Sequence, residues 1–78
     1  MTEVEGLKWI AELFEEPSSA ITADTQRQAI PAWDSLGVLT LIAALDEKFD
    51  ISVSDADIKG LESVDGILAI LRKHGKLT

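Results

Sequence analysis

Trp33-Asp34-Ser35-Leu36-Gly37-Val38-Leu39-Thr40-Leu41-Ile42-Ala43-Ala44-Leu45-Asp46-Glu47-Lys48-Phe49 is the stretch that decides the fold. From Leu36 to Phe49, the residues Val38, Leu41, Ile42, Leu45 and Phe49 recur at the 3.6-residue spacing of one helix face, over a length too great for a strand. These five are the expected core face. Leu36, Leu39 and Ala43 fall on a neighbouring strip, flanked by Thr40, Asp46 and Glu47, which the same wheel leaves available to a partner. Asp34 and Ser35 stand where loop gives way to helix. Both are good N-caps, and losing such a cap costs about 1 kcal/mol, so capping alone explains the pair. A second reading is open at the same place. A serine hydroxyl exposed at a helix N-terminus, where unpaired backbone N–H groups and the helix dipole favour an anion, suits a covalent phosphodiester.

Upstream, residues 17–34 read as a long connection with Pro17, Pro31 and many small polar residues, anchored by Ile21, Ile30 and Trp33. Pro31 biases Ile30 towards extended backbone and cannot donate a hydrogen bond, so the next helix starts afresh near Ser35. Before this connection, Val4, Leu7, Ile10, Ala11 and Phe14 form the apolar stripe of a first helix from Val4 to Glu16, ended by Pro17-Ser18-Ser19. Thr2 and Glu5 fit a capping box at its start. Trp9 lies off the stripe and reads as a partly exposed ring or as a contact for the loop that follows.

Downstream, Asp50-Ile51-Ser52-Val53-Ser54 alternates like a strand but has no second strand to pair with, so an extended loop with Ile51 and Val53 pointing inward is expected. Ser54 caps a short acidic helix, Asp55 to Lys59, closed by Gly60. Ser63 caps a last helix with the face Val64, Ile67, Leu68 and Leu71. Arg72, Lys73 and His74 complement its C-terminal dipole, and Gly75 ends it. The predicted fold is all-α: a small four-helix bundle of three longer helices and one short helix, forming a single domain over residues 1–78.

Composition narrows the function. The chain has 78 residues, 46% of them apolar, which suits one modest core. It has no Cys, so it forms no disulfide and offers no thiol of its own. A net charge of −7, from 14 acidic and 7 basic residues, disfavours nucleic acid and either favours partners with basic surfaces or simply keeps a small domain soluble, two readings that charge alone does not separate. No stretch approaches the apolar length of a membrane span, and the N-terminus lacks the pattern of a signal peptide, so a cytoplasmic location is expected.

Catalysis is not expected. The one histidine, His74, is explained by the helix terminus, no Gly-x-Ser-x-Gly elbow surrounds Ser35, and no glycine-rich phosphate loop is present. No metal is expected either. Asp55-x-Asp57-x-Lys59-Gly60 opens like a calcium loop, but Lys59 replaces an oxygen ligand and Gly66 stands where the bidentate glutamate is required.

In register with this helix order and charge, Trp33-Asp34-Ser35-Leu36-Gly37 and the helix through Leu45-Asp46-Glu47-Lys48-Phe49 resemble the acyl carrier protein family over nearly the whole chain. The resemblance implies that a phosphopantetheinyl transferase attaches phosphopantetheine to Ser35 and that acyl or aminoacyl groups then ride on its thiol as thioesters. It implies that Asp34 serves recognition by the transferase. It also implies that Leu36, Leu39 and Ala43, with Asp46 and Glu47, meet acyl-loading and acyl-processing enzymes with basic docking surfaces. An acyl pocket would be lined by Leu41, Leu45, Val53, Ile58 and Leu61, residues that ordinary core packing explains equally well. Gly37 and Thr40 fall where fatty-acid carriers commonly present acidic side chains, which points to a specialised lipid, polyketide or peptide pathway. Gly37 also costs the helix up to about 1 kcal/mol relative to Ala, which close approach by an arm or a partner would explain. A monomer is expected. The alternative is an unmodified acidic interaction module in which Ser35 is only a cap and the leucine strip is the docking site.

Overall fold

The computed structural model describes residues 1–78. Four α-helices follow in order, α1 (Glu3–Leu13), α2 (Ser35–Phe49), α3 (Asp55–Lys59) and α4 (Val64–Lys73), with two single 3-10 turns, Ser18–Ala20 and Arg27–Ala29, in the long connection. Helix α1 packs on α4, and α2 packs on α3. The predicted four-helix bundle is observed, and no helix is long and apolar enough to cross a membrane.

Local chemistry sets the starts of α1 and α3. At Thr2 the predicted capping box is complete: the hydroxyl accepts from the Glu5 amide at 3.2 Å, and the Glu5 carboxylate accepts from the Thr2 amide at 2.9 Å. Ser54 and Asp57 form a second box, with bonds of 3.1 and 3.0 Å. In both boxes the acceptor role holds the carboxyl below its ordinary pKa, chiefly through the backbone N–H of Thr2 for Glu5 and of Ser54 for Asp57.

Helix α1 stops short of the expected Glu16. Glu15 adopts a left-handed φ of 56°, its amide donates to the Glu12 carbonyl, and the Glu16 amide donates to the Ala11 carbonyl at 2.8 Å. This is a Schellman ending with glutamate in the position glycine usually takes, and it closes the helix before Pro17 is reached. It also turns Phe14 into the core, where its ring stacks on Trp33 at 5.4 Å. Val4, counted on the apolar stripe, is 62% exposed in the first turn. Trp9 is half-buried and meets the edge of Phe49, at the end of α2, at 5.0 Å.

The core runs through all four helices and the connection. Val38, Leu41 and Leu45 of α2 are buried, while Ile42 and Phe49 are half-buried at the margin of that face. All four predicted face residues of α4 are buried, as are the three anchors Ile21, Ile30 and Trp33. Ile30 is extended, at φ −112° and ψ 101°, as the following proline demands. The segment after α2 leaves the helix through Asp50, at φ 56°, and buries Ile51 without pairing as a strand.

Ser63 corrects a sequence expectation. It occupies the N-cap position of α4, but its hydroxyl makes no capping bond. The amides of Val64 and Asp65 instead donate to the carbonyls of Thr25 and Ala23, each at 2.9 Å. The connection itself caps α4, and the side chain is left without that task.

Candidate functional site

The mouth of α2 is built from three short-range constraints. Asp34 takes the N-cap with extended backbone, and its Oδ1 accepts from the Gly37 amide at 2.9 Å. Its carbonyl accepts from the Val38 amide at 2.9 Å. The amides of Ser35 and Leu36 have no protein acceptor, as expected for the first turn of a helix. Ser35 is the first helical residue and is exposed. Its hydroxyl therefore lies beside two unpaired N–H groups at the positive end of a 15-residue helix.

The strip read from the helical wheel is open. Leu36 is 72% and Leu39 59% exposed, with Ala43, Asp46 and Glu47 exposed further along α2. Thr40 turns its hydroxyl back to the Leu36 carbonyl at 3.0 Å. Between this turn and the end of α1 lies a groove of about 530 Å³, bordered by Glu12, Glu15, Asp34, Leu36 and Thr40. Acidic side chains absent from the first half of α2 thus arrive beside it from α1.

Gly37 has an internal explanation. A Cβ there would run into the carbonyl oxygen of Ala32, well inside van der Waals contact. The close approach expected of an arm or a partner is made by the chain's own loop, which crosses the first turn of α2 and seats Trp33. Trp33 is 3% exposed and its Nε1 is buried without a hydrogen-bond partner. Such a group costs about 1–3 kcal/mol, which the packing of the ring on Phe14 must offset.

The five residues of the expected acyl pocket do not line one chamber. Leu41, Leu45 and Ile58 are fully buried, and no groove opens onto them. Val53 and Leu61 are half-buried and border a groove of about 430 Å³ with Asp57, Ile70, Lys73 and His74. His74 ends α4 and makes no hydrogen bond to Ser35. The two aspartates of the calcium-like sequence are otherwise engaged: Asp57 closes the Ser54 box, and Asp55 pairs with Lys59 at 2.9 Å.

Arg27 was not legible in the sequence. It is the only cation between Lys8 and Lys48, it sits in a connection without periodicity, and no motif surrounds it. In the structure its guanidinium donates to two backbone carbonyls from different parts of the chain, those of Trp33 and Lys59.

Comparison with known proteins shows which family the chain belongs to. Residues 8–71 match the family model described as a phosphopantetheine attachment site. The chain is 30% identical over 74 residues to an acyl carrier protein of Kineococcus radiotolerans, covering 90% of this chain and 91% of that one. It is 32% identical over 62 residues to an acyl carrier protein of Exiguobacterium, covering 80% and 78%. An acyl carrier protein of Bdellovibrio bacteriovorus is 37% identical over 43 residues, a match that spans only about half of either chain, 55% of each. Because the family match takes in α2, α3 and most of α1 and α4, the chain belongs to the phosphopantetheine-attachment family of acyl carrier proteins, whose members carry a prosthetic group and are not themselves catalysts.

Proposed function

We propose that Ser35 carries the phosphopantetheine arm and that the chain presents acyl or aminoacyl groups to separate enzymes. The observation that supports this most directly is the exposed Ser35 hydroxyl beside the unpaired amides of Ser35 and Leu36. These groups fit a phosphodiester: the amides donate to phosphate oxygens, and the dipole of α2 favours their charge, so no basic side chain is required. When bound, the arm supplies the terminal thiol that this cysteine-free chain lacks, and carried groups are held on it as thioesters. Asp34 keeps the hydroxyl at the outermost edge of the helix by capping Gly37, and the same carboxylate serves recognition by the phosphopantetheinyl transferase.

Leu36, Leu39 and Ala43 form the docking strip for that transferase and for acyl-loading and acyl-processing enzymes, with Asp46 and Glu47 steering their basic surfaces. Thr40 and the placement of acidic side chains at the end of α1 support a pathway other than housekeeping fatty-acid synthesis. Gly37 no longer bears on that choice, because Ala32 accounts for it.

The test is a mass measurement after incubation with coenzyme A and a broad-specificity transferase. Wild type gains one phosphopantetheine, and Ser35→Ala gains none while keeping its helical spectrum. A wild-type mass left unchanged by several transferases overturns the assignment and favours an unmodified acidic interaction module.

A further inference from the structure

Packing fixes the Trp33 ring, whereas the carbonyl of the peptide that follows it takes no backbone N–H donor. The ring is held by burial and by its stack on Phe14. The carbonyl of Trp33 belongs to the peptide that leads into Asp34, the N-cap, and the rotation of that peptide sets where the first turn of α2 faces. Helix α3 has a related weakness. With five residues it is too short to be stable on its own, and the carbonyls at its C-terminal end lack partners within the helix.

Arg27 joins these two places. Its Nε donates to the Trp33 carbonyl at 3.2 Å, and its Nη1 donates to the carbonyl of Lys59, the last residue of α3, also at 3.2 Å. Its own backbone N–H donates to the Glu62 carbonyl at 2.8 Å, which pins the 3-10 turn Arg27–Ala29 to the α3–α4 connection. The guanidinium also lies 5.7 Å from the centre of the Trp33 ring. One rigid fork thus holds the entry to α2 and the exit from α3 in a fixed relation. A lysine, with a single flexible ammonium, does not reproduce two divergent bonds of this kind.

We propose that Arg27 is a positioning residue for prosthetic-group attachment: by locking the Trp33–Asp34 peptide to the end of α3, it fixes the direction in which Ser35 meets the modifying enzyme. The inference rests on the Ser35 reading above. It separates binding from chemistry, because the docking strip Leu36, Leu39 and Ala43 does not include Arg27, whereas a small displacement of a reacting hydroxyl lowers the rate of its step.

The experiment compares steady-state loading of wild type, Arg27→Met and Arg27→Lys by coenzyme A and one transferase, alongside amide hydrogen exchange of the unloaded proteins. Arg27→Met is expected to lose about tenfold or more in kcat with KM within about twofold. The amide of Gly37, bonded to Asp34, and that of Leu61, bonded to Ile58, should exchange faster together. Arg27→Lys, which keeps the charge and the fold, should recover only part of the kcat. A folded Arg27→Met that loads at the wild-type kcat overturns the inference, as does full recovery by Arg27→Lys. A wild type that takes no arm at all is a different result, because it removes the Ser35 assignment on which the inference stands.

Discussion

Two helices of this protein begin almost alike and end up in opposite circumstances. Helix α2 starts Asp34-Ser35-Leu36-Gly37 and α4 starts Ser63-Val64-Asp65-Gly66, each with a small polar N-cap and a glycine three residues later. At α4 the chain closes its own helix end: the carbonyls of Thr25 and Ala23 take the first amides, and the Ser63 hydroxyl caps nothing. At α2 the side chain of Asp34 caps Gly37, but the amides of Ser35 and Leu36 stay unpaired beside an exposed hydroxyl. A polar residue at a helix start therefore does not mark a site. What marks it is whether the rest of the fold leaves the helix end open.

The glycines offer the sharpest way to test this contrast. Gly37→Ala drives a methyl into the Ala32 backbone, which cannot yield without moving the loop that seats Trp33. Overpacking of this kind costs about 3 kcal/mol, offset by about 1 kcal/mol of helix propensity, for a net loss of about 2 kcal/mol. Gly66→Ala meets only the end of the Leu61 side chain, with Cδ2 at 2.8 Å, and that group can swing aside. Its stability should stay within about 0.5 kcal/mol of wild type. Thermal unfolding should separate the two variants by roughly 8–16 °C, on a scale of about 4–8 °C per kcal/mol for a domain of this size. Equal melting temperatures would mean that the loop does not cross α2 as described.

The caps give a smaller effect. Asp34→Ala should lose about 1 kcal/mol, because a formed capping bond disappears. Ser63→Ala should change stability by less than about 0.5 kcal/mol and leave loading by the transferase intact, because no bond is lost. Denaturant midpoints of the two variants decide the matter, and a Ser63→Ala as damaging as Asp34→Ala would show that the Ser63 hydroxyl caps α4 after all.

The smallest effect concerns the capping boxes of α1 and α3. Glu5 and Asp57 titrate below their ordinary values of 4.5 and 3.8 because the folded state bonds their ionised forms. Their contribution is fully present above those values and is lost as pH falls through the lowered ones. Glu5→Gln combined with Asp57→Asn should therefore flatten the decline of the urea midpoint below about pH 4.5 and leave the slope near pH 7 unchanged. Slopes identical to wild type in acid would show that neither carboxylate is held in its box.

Short-range pattern carried much of the fold. The spacing of Val38, Leu41 and Leu45, the pairing of Thr2 with Glu5, and the proline after Ile30 each act within one or two turns, so their consequences are written where the residues stand. The exposed strip of Leu36, Leu39 and Ala43 was legible for the same reason. Tertiary structure alone decided the rest. Helix α1 ends at Glu15 with no glycine to mark the turn, and Phe14 beside it stacks on Trp33, a partner in another segment. Ser63 is idle, Gly37 is obligatory and Arg27 holds two carbonyls, all because the long connection folds back across α2 and α4. Periodicity and caps are properties of neighbours in sequence. Backbone carbonyls arriving from tens of residues away leave no mark on the local pattern, and only the packed chain shows which helix end they close and which they leave open.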